Sequence, residues 1–242
     1  MKILIVSGFL GAGKTTFIKR LARNVDQRFA ILENEYGAAG IDGARLGQNR
    51  QGTQKNVWEM TEQCICCIGK KDFAASVLTI ANVVDPEYLI VEPTGVGSLA
   101  RIIENLRQIE YERIQLLSPV TIVDVYSYRR YMAEYPELYQ DQIRSADTII
   151  VSKTEACQAE EKQRIQKFLQ EINSQAKIIT DYASTMTRED YQSLLLGGRY
   201  EKEVQDTQSG EKMPETFSFE NIRMEAPETL WCFLEPVSYT HL

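Results

Sequence analysis

One histidine in 242 residues, His241 at the extreme C-terminal end, leaves the body of this chain without an imidazole ligand for a metal. Long apolar runs are missing too. None reaches the ~18 uninterrupted residues that span a bilayer, so no membrane helix is expected. Nor is there a dense Lys/Arg cluster: 27 basic residues face 34 acidic ones, and a net charge of −7 offers no surface to follow a phosphate backbone, which sets nucleic acid aside as a partner. No internal repeat and no low-complexity tract interrupts the chain. The opening Met1-Lys2-Ile3-Leu4-Ile5-Val6 lacks a small-residue cleavage site and runs straight into a glycine-rich loop, unlike a secretion signal.

What is present is ordinary globular material, 43% apolar and 25% charged, long enough for one well-buried core and a small appendage. Of five cysteines, three crowd into Cys64-Ile65-Cys66-Cys67, too close together for a disulfide framework in a chain of this size. Without a signal, such a cluster points to metal or redox chemistry in a reducing compartment, and the cytoplasm is the expected location.

Runs of Ile, Val and Leu alternate with amphipathic stretches, the pattern of an α/β fold with a mostly parallel sheet covered by helices on both faces. Strands are predicted at 2–7, 29–33, 56–60, 88–92, 118–123, 148–152 and 177–180. Helices are predicted at 14–24, 70–83, 98–108, 127–132, 137–145, 159–173 and 188–195. A main domain over 1–198 is expected to give way to a polar, glycine-containing linker at 199–214. Residues 215–242, one alternating strand and one short helix, are too few to close a core and read as a truncated α+β fragment whose last seven residues look foreign.

Gly8-Phe9-Leu10-Gly11-Ala12-Gly13-Lys14-Thr15 fits G-x-x-x-x-G-K-[ST], after a predicted strand and at the start of a predicted helix. Gly8, Gly11, Ala12 and Gly13 let backbone N–H groups turn onto phosphates, and the first helical turn, with Thr16, adds its positive dipole end. Lys14 is the candidate catalytic cation for β- and γ-phosphate oxygens, and the Thr15 hydroxyl is a candidate Mg²⁺ ligand. The apolar stretch Tyr88-Leu89-Ile90-Val91 ends in Glu92, the position for an acid that holds Mg²⁺ across from that loop. Gly95, three residues on, permits a backbone approach to the γ-phosphate. The segment 33–42, from Glu33 to Asp42, carries acids and glycines after the second strand, as a mobile switch loop would. Ser152-Lys153-Thr154-Glu155 stands where guanine-specific hydrolases carry Asn/Thr/Ser-Lys-x-Asp, with glutamate in the aspartate place. The thiols of Cys64, Cys66 and Cys67 suit Zn²⁺, Cu(I), Co²⁺ or Ni²⁺, and the fourth position falls to water, to a carboxylate such as Glu33, or to a partner protein.

Taken in order, residues 8–15, Glu33-Asn34-Glu35-Tyr36-Gly37, Cys64-Ile65-Cys66-Cys67 and Glu92-Pro93-Thr94-Gly95 closely resemble the CobW family of GTPases, relatives of HypB and UreG, over about residues 1–200. The Cys-x-Cys-Cys element between the switch loop and the Glu-x-x-Gly motif is that family's own mark. The resemblance implies a P-loop GTPase that couples GTP hydrolysis to delivery of Zn²⁺, Co²⁺ or a similar ion to a client metalloprotein; oligomeric state stays open, a homodimer being one candidate. It places GTP and Mg²⁺ on Gly8, Gly11, Ala12, Gly13, Lys14, Thr15, Thr16, Asp42, Glu92, Gly95, Lys153 and Glu155. It places the transported ion on Cys64, Cys66, Cys67 and Glu33. Gln63 before the first cysteine, Glu155, and a mostly missing C-terminal domain depart from the family pattern. Two other readings stay open on the residues: a nucleotide-binding regulatory module with structural zinc, and a small-molecule P-loop kinase.

Overall fold

A computed structural model describes residues 1–27, 29–35, 57–63 and 70–204. In chain order the elements are β1 Lys2–Gly8, α1 Lys14–Asn24, β2 Phe29–Glu35, β3 Val57–Gln63, α2 Lys70–Val83, β4 Tyr88–Glu92, α3 Leu99–Arg107 and β5 Gln115–Leu116. They continue as β6 Val120–Asp124, α4 Tyr128–Glu134, α5 Pro136–Arg144, β7 Thr148–Ser152, α6 Ala159–Ile172, β8 Lys177–Ile179, α7 Tyr182–Thr185 and α8 Arg188–Leu196. The strands run β3-β2-β4-β1-β6-β7-β8, with β5 beside the start of β1, and every strand pairing is parallel.

Burial follows the two-residue period of a strand. Ile3 and Ile5 of β1 join Leu89 and Val91 of β4 under α2 and α3, while Leu4 and Val6 join Ile90, Ile122 and Ile150 under α1 and α8. On the α2/α3 side a second apolar cluster gathers Val123 and Val151 with Leu138, Ile143, Ile165 and Leu169 from α5 and α6. Because β4, β6 and β7 are buried at every residue, they read as continuous apolar runs, and the helices must cover both faces.

Local chemistry sets several element ends. Ser98 caps α3 by accepting from Arg101 N at 3.2 Å, and Thr187 with Asp190 forms a capping box on α8. The strand expected from 118 starts at 120: the Pro119 carbonyl accepts from Asp147 N and Thr148 N, and proline has no N–H for a ladder. The helix expected through 173 ends at Ile172, because Asn173 leaves helical geometry and its amide donates to the carbonyls of Ile143, Arg144 and Ala146 at and just after the C-terminal end of α5. Residues 199–204, the start of the expected linker, lie on the domain. Tyr200 is buried, its N–H donates to Leu116 O at 2.8 Å, its hydroxyl donates to Ser145 O at 2.9 Å, and Arg107 sits over its ring.

Candidate nucleotide site

The C-terminal ends of the strands carry the candidate site, as parallel α/β sheets require. β1 runs out at Gly8, whose φ of 143° and a carbonyl of Ile122 only 2.4 Å from where a Cβ would stand admit glycine alone. Gly11 and Gly13 are also left-handed, at φ 68° and 99°, and turn the loop into the first turn of α1. No side chain caps α1, so its leading N–H groups have no side-chain acceptor and are available to an anion at the loop. Lys14 folds back over that loop and its ammonium donates to Gly8 O at 2.9 Å and Phe9 O at 3.3 Å. Burial pushes the Lys14 pKa down, and the charge of Glu92 acts against the shift.

Glu92 ends β4 beside this turn, and the Thr15 hydroxyl donates to its Oε1 at 2.8 Å. One hydroxyl and one carboxylate oxygen side by side at the mouth of a glycine cradle form a hard-oxygen donor set, which fits Mg²⁺. Gly95 lies against the loop: a Cβ on it would stand 2.4 Å from Leu10 N and 2.8 Å from Phe9 C. Thr16 is exposed on the same first turn of α1.

The profile of the CobW/HypB/UreG nucleotide-binding domain matches residues 2–180. The chain belongs to this family. Zinc chaperone YeiR of Escherichia coli (strain K12) is 30% identical over 178 residues, which are 72% of this chain and 53% of that protein. Zinc chaperone CobW of Pseudomonas aeruginosa is 27% identical over 209 residues, 74% of this chain and 56% of that one. This chain therefore spans about half the length of the curated relatives it matches. The Zn(II)-bound YjiA GTPase from E. coli superposes with a TM-score of 0.56 at 21% identity, over 84% of this chain and 66% of that one. Hydrogenase Maturation Factor HypB from Archaeoglobus fulgidus does so at 0.50 and 17%, over 81% and 89%. These two likenesses establish a P-loop fold.

In this CobW-family domain Gly8, Gly11, Ala12, Gly13, Lys14, Thr15, Glu92 and Gly95 meet around one turn. Asp42, Cys64, Cys66 and Cys67 lie outside the described residues. The backbone of Glu33 lies on β2 as the Cα partner of Glu92, and Gln63, which precedes Cys64, is the partner of Glu35. Lys153 and Glu155 follow β7, both exposed, in a turn whose Ser152 hydroxyl donates to Ala12 O at 2.6 Å and so ties it to the phosphate loop. Glu155 lines a cleft of about 530 Å³ with Arg20, Thr154, Lys162, Asp181 and Ala183. Among the described residues no helix is long and apolar enough to cross a membrane.

Three contributors escape motif reading. Asp124 ends β6 as Glu92 ends β4, and the same signal, an acid closing an apolar strand, marks it. Its carboxylate accepts from Lys153 Nζ at 2.8 Å, Ser127 Oγ at 2.8 Å and Tyr126 N at 2.9 Å. Burial raises its pKa, but those three hydrogen bonds and the lysine charge outweigh burial and hold the carboxyl below its usual range. Phe9, inside the phosphate loop, packs on Tyr131, Tyr135 and Tyr139 with ring centroids 4.2, 5.5 and 5.7 Å away, anchoring the loop to α4 and α5. Gln142, next to the likewise buried Asp141, interrupts the apolar positions Leu138, Tyr139 and Ile143 of α5, and polar residues at such positions are its sequence signal.

Proposed function

We infer that this chain is the GTP-hydrolysing domain of a metallochaperone that takes up a transition metal such as zinc or cobalt on Cys64, Cys66 and Cys67, with Glu33 beside them, and passes it to a client metalloprotein. The observation that carries the reading is backbone register. Glu92, at the phosphate loop, is the Cα partner of Glu33 one strand over, a spacing of about 4.8 Å between neighbouring strands. β3, which leads into the cysteines, pairs with β2 through Gln63 and Glu35. Glu92, Glu33 and the end of β3 that leads into the cysteines thus belong to the same end of three adjacent strands, and a change at one has a short path to the others.

Lys14 leaves the Gly8 and Phe9 carbonyls to pair with β- and γ-phosphate oxygens, while the backbone N–H groups of residues 11–15 receive the remaining phosphate oxygens. Thr15 and Glu92 would hold Mg²⁺, which when bound neutralises charge on the β- and γ-phosphates. Gly95 brings the backbone after β4 close enough to respond to a γ-phosphate. Lys153 and Glu155 flank the base, with Glu155 accepting from the guanine edge. Zinc-chaperone and GTPase names among the relatives agree with this assignment.

The test is an anaerobic Co²⁺ titration with Mg²⁺ and GTP, ATP or no nucleotide, following thiolate-to-cobalt absorption. The expected result is about one ion per chain with intense absorption, tightened by GTP and lost in Cys66→Ser/Cys67→Ser. By linkage, the factor that GTP adds to metal affinity is the factor that metal adds to GTP affinity. Cobalt affinity indifferent to nucleotide would end the chaperone reading and leave a nucleotide hydrolase whose cysteines serve structure.

A further inference from the structure

We propose that Gln142, on α5 and away from the phosphate loop, is a positioning residue for hydrolysis that acts by holding the Gly95 backbone in place; this rests on the reading of the chain as a GTPase. Gln142 is 1% exposed. Its Nε2 donates to Gly95 O at 3.1 Å and Gly97 O at 3.0 Å. Two carbonyl acceptors fix which way the amide faces, since only its NH₂ end can meet both. The neighbouring side chain, Asp141, reaches the same strap a few residues later and accepts from Leu99 N at 2.6 Å and Ala100 N at 3.4 Å. Two consecutive residues of one helix therefore grip both ends of residues 95–100.

The grip matters because Gly95 touches the phosphate loop, with Leu10 N 2.4 Å from the position of a Cβ. Every peptide among the described residues is trans, so a carbonyl and the following N–H point in opposite directions. Drawing Gly95 O toward α5 turns Val96 N–H away from α5, and drawing Gly97 O does the same for Ser98 N–H. If the amide of Gln142 is lost, these two peptides lose that restraint while β4 and Glu92 stay where the sheet holds them.

Gln142 also sits in a polar seam on the α2/α3 face of the sheet. Its backbone carbonyl accepts from Thr121 Oγ1 at 2.9 Å, and Thr121 is the Cα partner of Ser7, the residue before Gly8. Ser7 Oγ and Gln142 Oε1 are buried and have no hydrogen-bond partner among the described residues. A buried polar group is kept at a cost only where it does something an apolar side chain cannot. Here that task is donation to two strap carbonyls.

The test compares Gln142→Met, similar in size but with no donor, with Ile143→Val, a neighbouring core change on α5 that leaves the strap untouched. Steady-state hydrolysis and GTP binding are measured at matched folding. Gln142→Met is expected to lower kcat about tenfold or more while GTP Kd stays within about threefold, the split that follows when an interaction serves the transition state more than binding. Ile143→Val is expected to keep both within about twofold. A kcat for Gln142→Met within twofold of wild type, or equal losses in both variants, would overturn the assignment. Should Gln142→Met not fold, Gln142→Glu replaces it, since a carboxylate cannot donate to two carbonyls. Wild-type amide exchange supplies an arm free of any variant: nucleotide is expected to slow peptides covering residues 94–100 and α5 together, and a change confined to 94–100 would refute the coupling. That arm needs only binding, so a wild-type chain that binds Mg·GTP without hydrolysing it would fail the GTPase reading, while the exchange pattern would still decide whether α5 holds the strap.

Discussion

Replacing Gly95 with alanine puts a methyl group where the phosphate loop already stands. Its Cβ would lie 2.4 Å from Leu10 N and 2.8 Å from both Leu10 Cα and Phe9 C, all backbone atoms that no rotamer change can clear. Ordinary contact requires a retreat of about 1 Å by the loop or by the strap after β4. Overpacking of that kind costs roughly 1–3 kcal/mol, a drop in Tm of roughly 2–12 °C for a domain of this size. The functional loss should be larger, because a misplacement of about 1 Å at a reacting centre costs on the order of 100-fold in rate. Phosphate release and thermal melting, run beside Gly198→Ala, form the assay. Gly198 has nothing within 4 Å of its Cβ position, so its variant should match wild type in both. A Gly95→Ala chain that melts with wild type and hydrolyses GTP within twofold of it would refute the claim that this contact positions the loop.

Lys14→Met should abolish hydrolysis yet leave the nucleotide-free protein as stable as wild type or more so, because a buried ammonium with a lowered pKa opposes folding. The folded state binds that proton less tightly than the unfolded one, so wild-type stability should gain as pH rises through the lowered Lys14 pKa toward 10.5, and denaturant unfolding should show Lys14→Met without that gain. Asp124 has the opposite sign: its lowered pKa contributes stability that is present above the unfolded value of about 3.9 and lost as pH falls below it. Asp124→Asn should therefore unfold with a flatter pH profile below about pH 4, and at neutral pH should lose about 1–2 kcal/mol, kept small because Lys153 is half exposed. Phe9→Leu should cost about 1–2 kcal/mol through lost ring contacts and weaken GTP binding by loosening the loop from α4 and α5, measured by melting and nucleotide titration.

Elements that stand on local signals were legible in advance. The bounds of α1, α2, β4 and β7 coincide with the expected ones, since each is a periodic or apolar run closed by glycine, acid or turn residues. β5 and α7 were not foreseen. Two residues cannot display a period, and β5 exists because Gln115 and Leu116 meet the edge of β1. α7 is one turn, entered through Asp181 at φ 57°, and its Tyr182 is buried against Phe17 of α1, a contact 165 residues away in sequence that no local pattern announces.

The candidate site divides along the same line. By itself the sequence determined the phosphate loop, the acid that ends β4 and the family, because glycine spacing and a strand ending in glutamate are consecutive in the chain and carry their chemistry in residue type. Only the tertiary structure decided that Thr15 meets Glu92 across 77 residues, that Gln142 holds Gly95 across 47, and that Ser152 reaches Ala12 across 140. The strand order β3-β2-β4-β1-β6-β7-β8 brings those partners together, and it arises from burying two faces of one parallel sheet, a constraint of the whole chain that no segment carries alone.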